Sequence, residues 1–161
     1  MPQNVELLPG TVGENIARMS KADTQDIITA AHRAGAHEMI LALPKGYDTS
    51  IDAVNGTLSA GQRQLVGLAR ALFGGPALLL MDEPTANLDG QAAQTVIKSF
   101  QQAAERGAIV VVATHDKNLI NKTNDVLLIN NNAVSIAQSN QYLNSLGRKS
   151  SITKINRGAL A

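Results

Sequence analysis

The spacing of apolar positions changes near residue 58. Up to about Pro44 the pattern predicts loop and short helices. Asp23 is placed to cap a helix whose apolar face is Ile27, Ile28, Ala31 and Ala34, with Gly35 ending it. A second short helix, His37–Leu43, stops at Pro44. The stretch "PKGYDTSIDAVNGT" reads as an irregular connection. After it comes alternation of helix-spaced segments with short continuous apolar runs, the pattern of an α/β sheet protein. Ser59–Phe73 reads as a helix with Leu65, Leu68, Ala69 and Leu72 on one face, ended by Gly74-Gly75. Ala77–Met81 reads as a buried strand. Gly90–Arg106 reads as a helix with Ala93, Val96, Ile97 and Phe100 inward. Ala108–Ala113 reads as a strand buried on both faces. Val126–Ile129 and Val134–Ala137 flank "NNN" as a hairpin would, and a last helix covers Asn140–Leu146. From Arg148 the tail is basic and reads as loose.

Composition narrows the function classes. The 161 residues suffice for one domain with a core, and the net charge of +1 sets up no field for nucleic acid. Aromatics are 2% with no Trp, which argues against base-stacking surfaces. The absence of Cys excludes disulfides and Cys-ligated metal. No apolar run approaches bilayer length, and "MPQNVELLPG" does not read as a signal peptide.

Three short stretches carry candidate chemistry. In "LLLMDEPTANLD" an apolar run ends at two acids, Asp82 and Glu83. Parallel sheets bind ligands at the carboxyl ends of their strands. Asp82 there can hold Mg²⁺, and Glu83, one residue on, can orient or deprotonate an attacking water. Taken alone, such a pair is also an ordinary solvated acidic turn. In "LSAGQ", Ser59 and Gln62 fit a capping box. That is either a plain helix start or, with Gly61 allowing close approach, an anion-binding one. In "VVVATHD", His115 follows a strand, as a structural histidine or as a group that senses a phosphate.

In this order and spacing, "LSAGQRQLVGLARAL", "ALLLMDEPTANLD" and "ATHD" resemble the nucleotide-binding domain of ABC transporters. With "GTVGENI" and "LPKGYDTSI", the likeness is greatest to type I secretion exporters and runs from about Pro2 to Leu146. The resemblance implies a P-loop NTPase-like (RecA-like) parallel sheet with a helical subdomain. Residues 1–57 would carry the Q-loop remnant and helical subdomain, 58–146 the C-terminal half of the ATPase core, and 147–161 a flexible tail. Gln3 would be the Q-loop glutamine at Mg²⁺ or water. Leu58, Ser59, Ala60, Gly61 and Gln62 would be the signature that contacts ATP held by a second nucleotide-binding domain. Asp82 would support Mg²⁺, Glu83 would be the general base, Asp89 would close the D-loop at the dimer interface, and His115 would be the switch. The implied partners are that second domain and a transmembrane domain, at the cytoplasmic face of a bacterial inner membrane, with no nucleic acid. Two positions depart from the family: Ala60 stands where glycine is usual, and Ala53 stands where related exporters carry a glutamate.

One motif is missing. A P-loop needs G-x-x-x-x-G-K-[ST], and no lysine in this chain follows a glycine. The expectation is a family member truncated on its N-terminal side, itself soluble in the cytoplasm and inactive alone. In the family sheet the P-loop strand lies between the strand ahead of His115 and Val126–Ile129. The chain is therefore expected to be unstable, or to associate through open strand edges. Two other roles fit the same residues: a non-catalytic module that pairs with intact subunits, and a soluble ABC-type ATPase outside transport.

Overall fold

A computed structural model of the chain describes residues 1–2, 4–51, 58–130 and 133–146. They fall into two compact units, one within residues 1–115 and the other within residues 116–146.

The first unit begins with a two-residue strand, β1 (Gly10–Thr11), running straight into α1 (Val12–Ile16). Thr11 and Glu14 make a reciprocal capping box there: the threonine hydroxyl accepts from the Glu14 N–H at 3.1 Å, and the Glu14 carboxylate accepts from the Thr11 N–H at 2.7 Å. Buried Asn15 bonds both backbone groups of Leu8 and the carbonyl of Thr11, which fixes the entry of the chain. α2 (Thr24–Ala34) starts at its Asp23 cap and ends at Gly35 in the left-handed conformation, as its sequence predicts. α3 is one turn, His37–Leu41, shorter than expected. The supposed irregular connection contains a 3₁₀ turn, Gly46–Asp48, and a strand, β2 (Ser50–Ile51), antiparallel to β1.

α4 (Ala60–Leu72) is the central helix of this unit and packs against α1 and α2. Its C-terminal carbonyls would otherwise lack partners. The Arg18 guanidinium supplies them, donating to the carbonyls of Arg70 (3.1 Å), Ala71 (3.2 Å) and Phe73 (3.0 Å). The buried face of α4 is Gln64, Val66, Leu68, Ala69 and Leu72; Leu65 is only half-buried. α5 (Gly90–Glu105) buries Val96, Ile97, Phe100 and Ala103, and its Ser99 hydroxyl donates to the carbonyl of Arg33 at the end of α2.

β3 (Leu78–Asp82) and β4 (Ile109–Ala113) pair in parallel, with Leu80 opposite Val111 and Asp82 opposite Ala113. Met1 lies along the other edge of β3, donating to the Leu80 carbonyl and accepting from the Asp82 N–H. The expected burial of both strands is corrected here. Leu79 and Met81 are buried, but Leu78 and Leu80 are 51% and 57% exposed, as are Ile109 and Val111 at 65% and 42%. These four residues share one face of the pair, which no described residue of this unit covers; period-two alternation then leaves half of each apolar run in solvent.

In the second unit, α6 (Lys117–Ile120) is capped by Asp116, and β5 (Asp125–Asn130) pairs antiparallel with β6 (Ala133–Gln138) as the expected hairpin. Leu127, Ile129, Val134 and Ile136, two cross-strand pairs, form an exposed apolar row. α7 (Ser139–Leu146) follows, and Ser139 shares a 2.7 Å hydrogen bond with Thr123. Among the described residues no helix is long and apolar enough to cross a membrane.

Candidate functional site

The carboxyl end of β3 brings the two acids to the edge of the parallel pair. Asp82, the last residue of the strand, is exposed. Glu83 follows with φ 43°, in the left-handed region. A side chain there costs about 1–3 kcal/mol and persists only when surrounding contacts impose it. Several do. The Glu83 N–H donates to the Ala113 carbonyl at 2.9 Å, continuing the sheet ladder by one residue. Its carbonyl accepts from Ala86 at 3.2 Å, closing a turn. Pro84, buried, disfavours the right-handed helical region at the residue before it.

This conformation aims the Glu83 side chain at the residues after β4. Oε2 accepts from the Thr114 hydroxyl at 3.2 Å, and Oε1 accepts from the His115 backbone N–H at 3.1 Å. The His115 Nε2 stands 3.8 Å from Oε1; the imidazole is fully exposed and the Glu83 side chain is 21% exposed. The structure thus joins Glu83 and His115, residues 32 apart in sequence.

The "LSAGQ" element occupies the N-terminus of α4. The Ser59 hydroxyl accepts from the Gln62 N–H at 3.2 Å, and the Gln62 side chain accepts from the Ser59 N–H at 2.8 Å, the capping box read from the sequence. Ala60 opens the helix and is not among the residues with positive φ, so its methyl group introduces no backbone strain. Gly61 packs closely: a β-carbon there would meet the Asn87 carbonyl at 3.1 Å, tighter than ordinary contact. Leu58 is buried and its carbonyl accepts from Arg63 at 2.7 Å. Asp89 caps α5, its carboxylate accepting from the Ala92 N–H at 2.8 Å. Gln3 and Ala53 lie outside the described residues.

Two residues at the site were not singled out from the sequence. Thr114 sits inside the "ATHD" stretch, and its hydroxyl next to the candidate switch His115 was the available signal. Gln64 is a polar residue on the buried face of α4, visible only as a break in an apolar stripe.

A metal-binding group of three or more His, Cys, Asp or Glu side chains does not occur among the described residues. Asp82 alone offers an exposed hard oxygen donor beside Glu83, which fits Mg²⁺, a cation that keeps several waters and takes one or two carboxylates. At the start of α4 the N–H groups of Ala60 and Gly61 have no intrahelical acceptor, a donor set suited to a phosphate oxygen.

The model of the "ABC transporter" family matches residues 1–86. A type I secretion system ATP-binding protein, PrsD of Rhizobium meliloti, is 44% identical over 131 residues, covering 81% of this chain and 22% of its own length. An ATP-dependent lipid A-core flippase of Acinetobacter baylyi is 39% identical over 113 residues, covering 69% of this chain and 20% of its own. The solved structure of a bacterial Atm1-family ABC exporter with ATP bound superposes with a TM-score of 0.79 at 29% identity, over 91% of this chain and 26% of that one. The chain spans about a fifth of the length of these curated relatives. The family match covers 86 of its 161 residues, and the chain belongs to the ABC transporter family.

Proposed function

We propose that this chain supplies the hydrolytic half of an ATP site and the signature half of a second one, in an exporter driven by ATP. The single observation that carries this reading is the Glu83 carboxylate, held by Thr114 and His115 at the end of a parallel strand beside Asp82. Glu83 acts as general base toward water, and His115 reaches the terminal phosphate. Asp82, with Gln3, would hold Mg²⁺, which neutralises charge on the phosphates. Ser59, Ala60, Gly61 and Gln62 contact the nucleotide held by the partner domain, Leu58 anchors that loop from beneath, and Asp89 lies at the domain interface. Residues 1–57 serve as the Q-loop remnant and the helical subdomain toward the transmembrane partner, and residues 58–146 as the C-terminal half of the ATPase core.

The cargo we infer is protein, exported across a bacterial inner membrane from its cytoplasmic face. Identity of 44% to the type I secretion protein supports this, against 39% to the lipid flippase. The chain contains no P-loop sequence, so nucleotide must be gripped by another segment.

The test joins this chain behind the P-loop segment of an exporter ATP-binding domain. The joined protein is expected to hydrolyse ATP. Glu83→Gln should lower the rate about 10²–10⁴-fold while nucleotide binding persists. Unchanged hydrolysis in that variant, or no nucleotide binding by the joined protein, would sink the reading.

A further inference from the structure

Gln64 does not touch the candidate reacting atoms, yet it holds the backbone beneath them. The residue is 2% exposed, on the second turn of α4. The amide nitrogen donates to the Glu83 carbonyl at 3.3 Å and to the Pro84 carbonyl at 3.0 Å. Both partners are pure acceptors, so the NH₂ end must face them whichever way the amide is drawn. The first carbonyl belongs to the peptide bond that follows Glu83 and the second to the next peptide bond; Glu83 is the residue whose left-handed φ aims its carboxylate at Thr114 and His115.

We infer that Gln64 is a positioning residue for Glu83. It fixes the Glu83–Pro84 peptide plane, and through it the direction of the carboxylate. The inference rests on the reading of Glu83 as the base. It adds a physical link that the roles of the separate motifs do not contain. Ser59 and Gln62 sit at the start of the same helix, within two residues of Gln64 at the nearer end. A rigid shift of α4, such as docking of its N-terminus against a partner's nucleotide, therefore pulls on the turn that aims the base of this chain's own site.

A purely structural role predicts loss of folding or of nucleotide binding together with rate. A positioning role predicts loss of turnover alone. In the joined protein described above, Gln64→Met keeps length and apolar volume but removes both donors. Its kcat is expected to fall about ten- to a hundredfold, with the KM for ATP within about twofold of the parent. Gln64→Glu gives a second readout. A carboxyl group this buried has a raised pKa, so near pH 6 its protonated form can donate to one carbonyl, and near pH 9 its ionised form repels both. Its kcat relative to the parent should be higher at pH 6 than at pH 9. Where Gln64→Met fails to bind nucleotide, the pH ratio of Gln64→Glu decides. If Gln64→Met turns over at the parent rate, or if Gln64→Glu shows a flat ratio across this range, the proposal is wrong. Loss of turnover in Glu83→Gln alongside an unaffected Gln64→Met overturns the positioning role and leaves the assignment of the base intact.

Discussion

Oε1 of Glu83 accepts the backbone N–H of His115 at 3.1 Å and lies 3.8 Å from Nε2 of the same residue. The first contact depends on the chain path and survives any substitution at residue 115 other than proline. The second depends on the imidazole. The two can therefore be separated.

His115→Ala keeps the backbone contact to Glu83 and removes a fully exposed ring. Thermal stability is expected to stay within about 0.5 kcal/mol of the parent, as for most exposed substitutions. ATP hydrolysis by the joined protein should fall about 10²-fold or more. Melting curves and steady-state rates measured on one preparation check both; a stability loss that accounts for the rate loss would contradict it.

Gly35 is the residue on which the junction of α2 and α5 depends. Its φ is +67°, and a β-carbon there would approach Cγ2 of Thr95 to 2.3 Å. Gly35→Ala should cost about 1–3 kcal/mol from the left-handed conformation and the clash together. Adding Thr95→Ser removes the clashing methyl but not the backbone cost. Denaturant titration should show partial recovery in the double variant and none in Thr95→Ser alone.

Leu80 and Val111 are cross-strand neighbours on the exposed face of the β3–β4 pair. On the far edge of β4 no described residue of the same unit forms a sheet ladder. An open edge beside an apolar face is the usual route to self-association. The chain by itself should sediment as a concentration-dependent mixture. Leu80→Glu with Val111→Lys should shift it toward monomer without lowering its melting temperature. A wild-type chain that stays monomeric and melts cooperatively would refute this.

Tyr47 gives a pH dependence. Burial, and then the charge of Glu38, push its phenol above the ordinary value near 10, and its hydroxyl shares a 2.8 Å hydrogen bond with Nδ1 of His37. The folded state keeps this proton longer than the unfolded state. The stabilisation is therefore complete below pH 10 and is lost as pH rises from there through the raised folded-state value. Melting temperatures taken from pH 8 to 11 should fall more steeply for the parent than for Tyr47→Phe. Equal slopes would show that the phenol does not ionise at the expense of folding.

Helix starts and stops were legible because their signals are local. Asp23 with Gly35 bracketed α2, and Ser59 with Gln62 opened α4, each through side-chain bonds spanning three residues or fewer. The same kind of signal is present in "TVGE", where Thr11 and Glu14 form a capping box, but the five-residue helix it opens is too short to show an apolar period. The β1–β2 pairing joins residues about 40 apart, Gly10 with Ile51, and neither two-residue strand carries a period of its own. The burial of the strands was overestimated because an apolar run shows what a face can bury and does not show what lies over it.

The order of short motifs along the chain was enough to point to the ABC transporter family. Residue type and spacing encode that directly, and the helix caps and the acid-tipped strand follow from local backbone chemistry. What the sequence could not settle is where Glu83 points. That direction comes from a left-handed backbone angle and the proline after it, together with a ladder bond to Ala113, 30 residues on, and a buried amide from α4, 19 residues back. Each is weak or unfavourable in an isolated peptide, and only the packed tertiary structure holds them all at once.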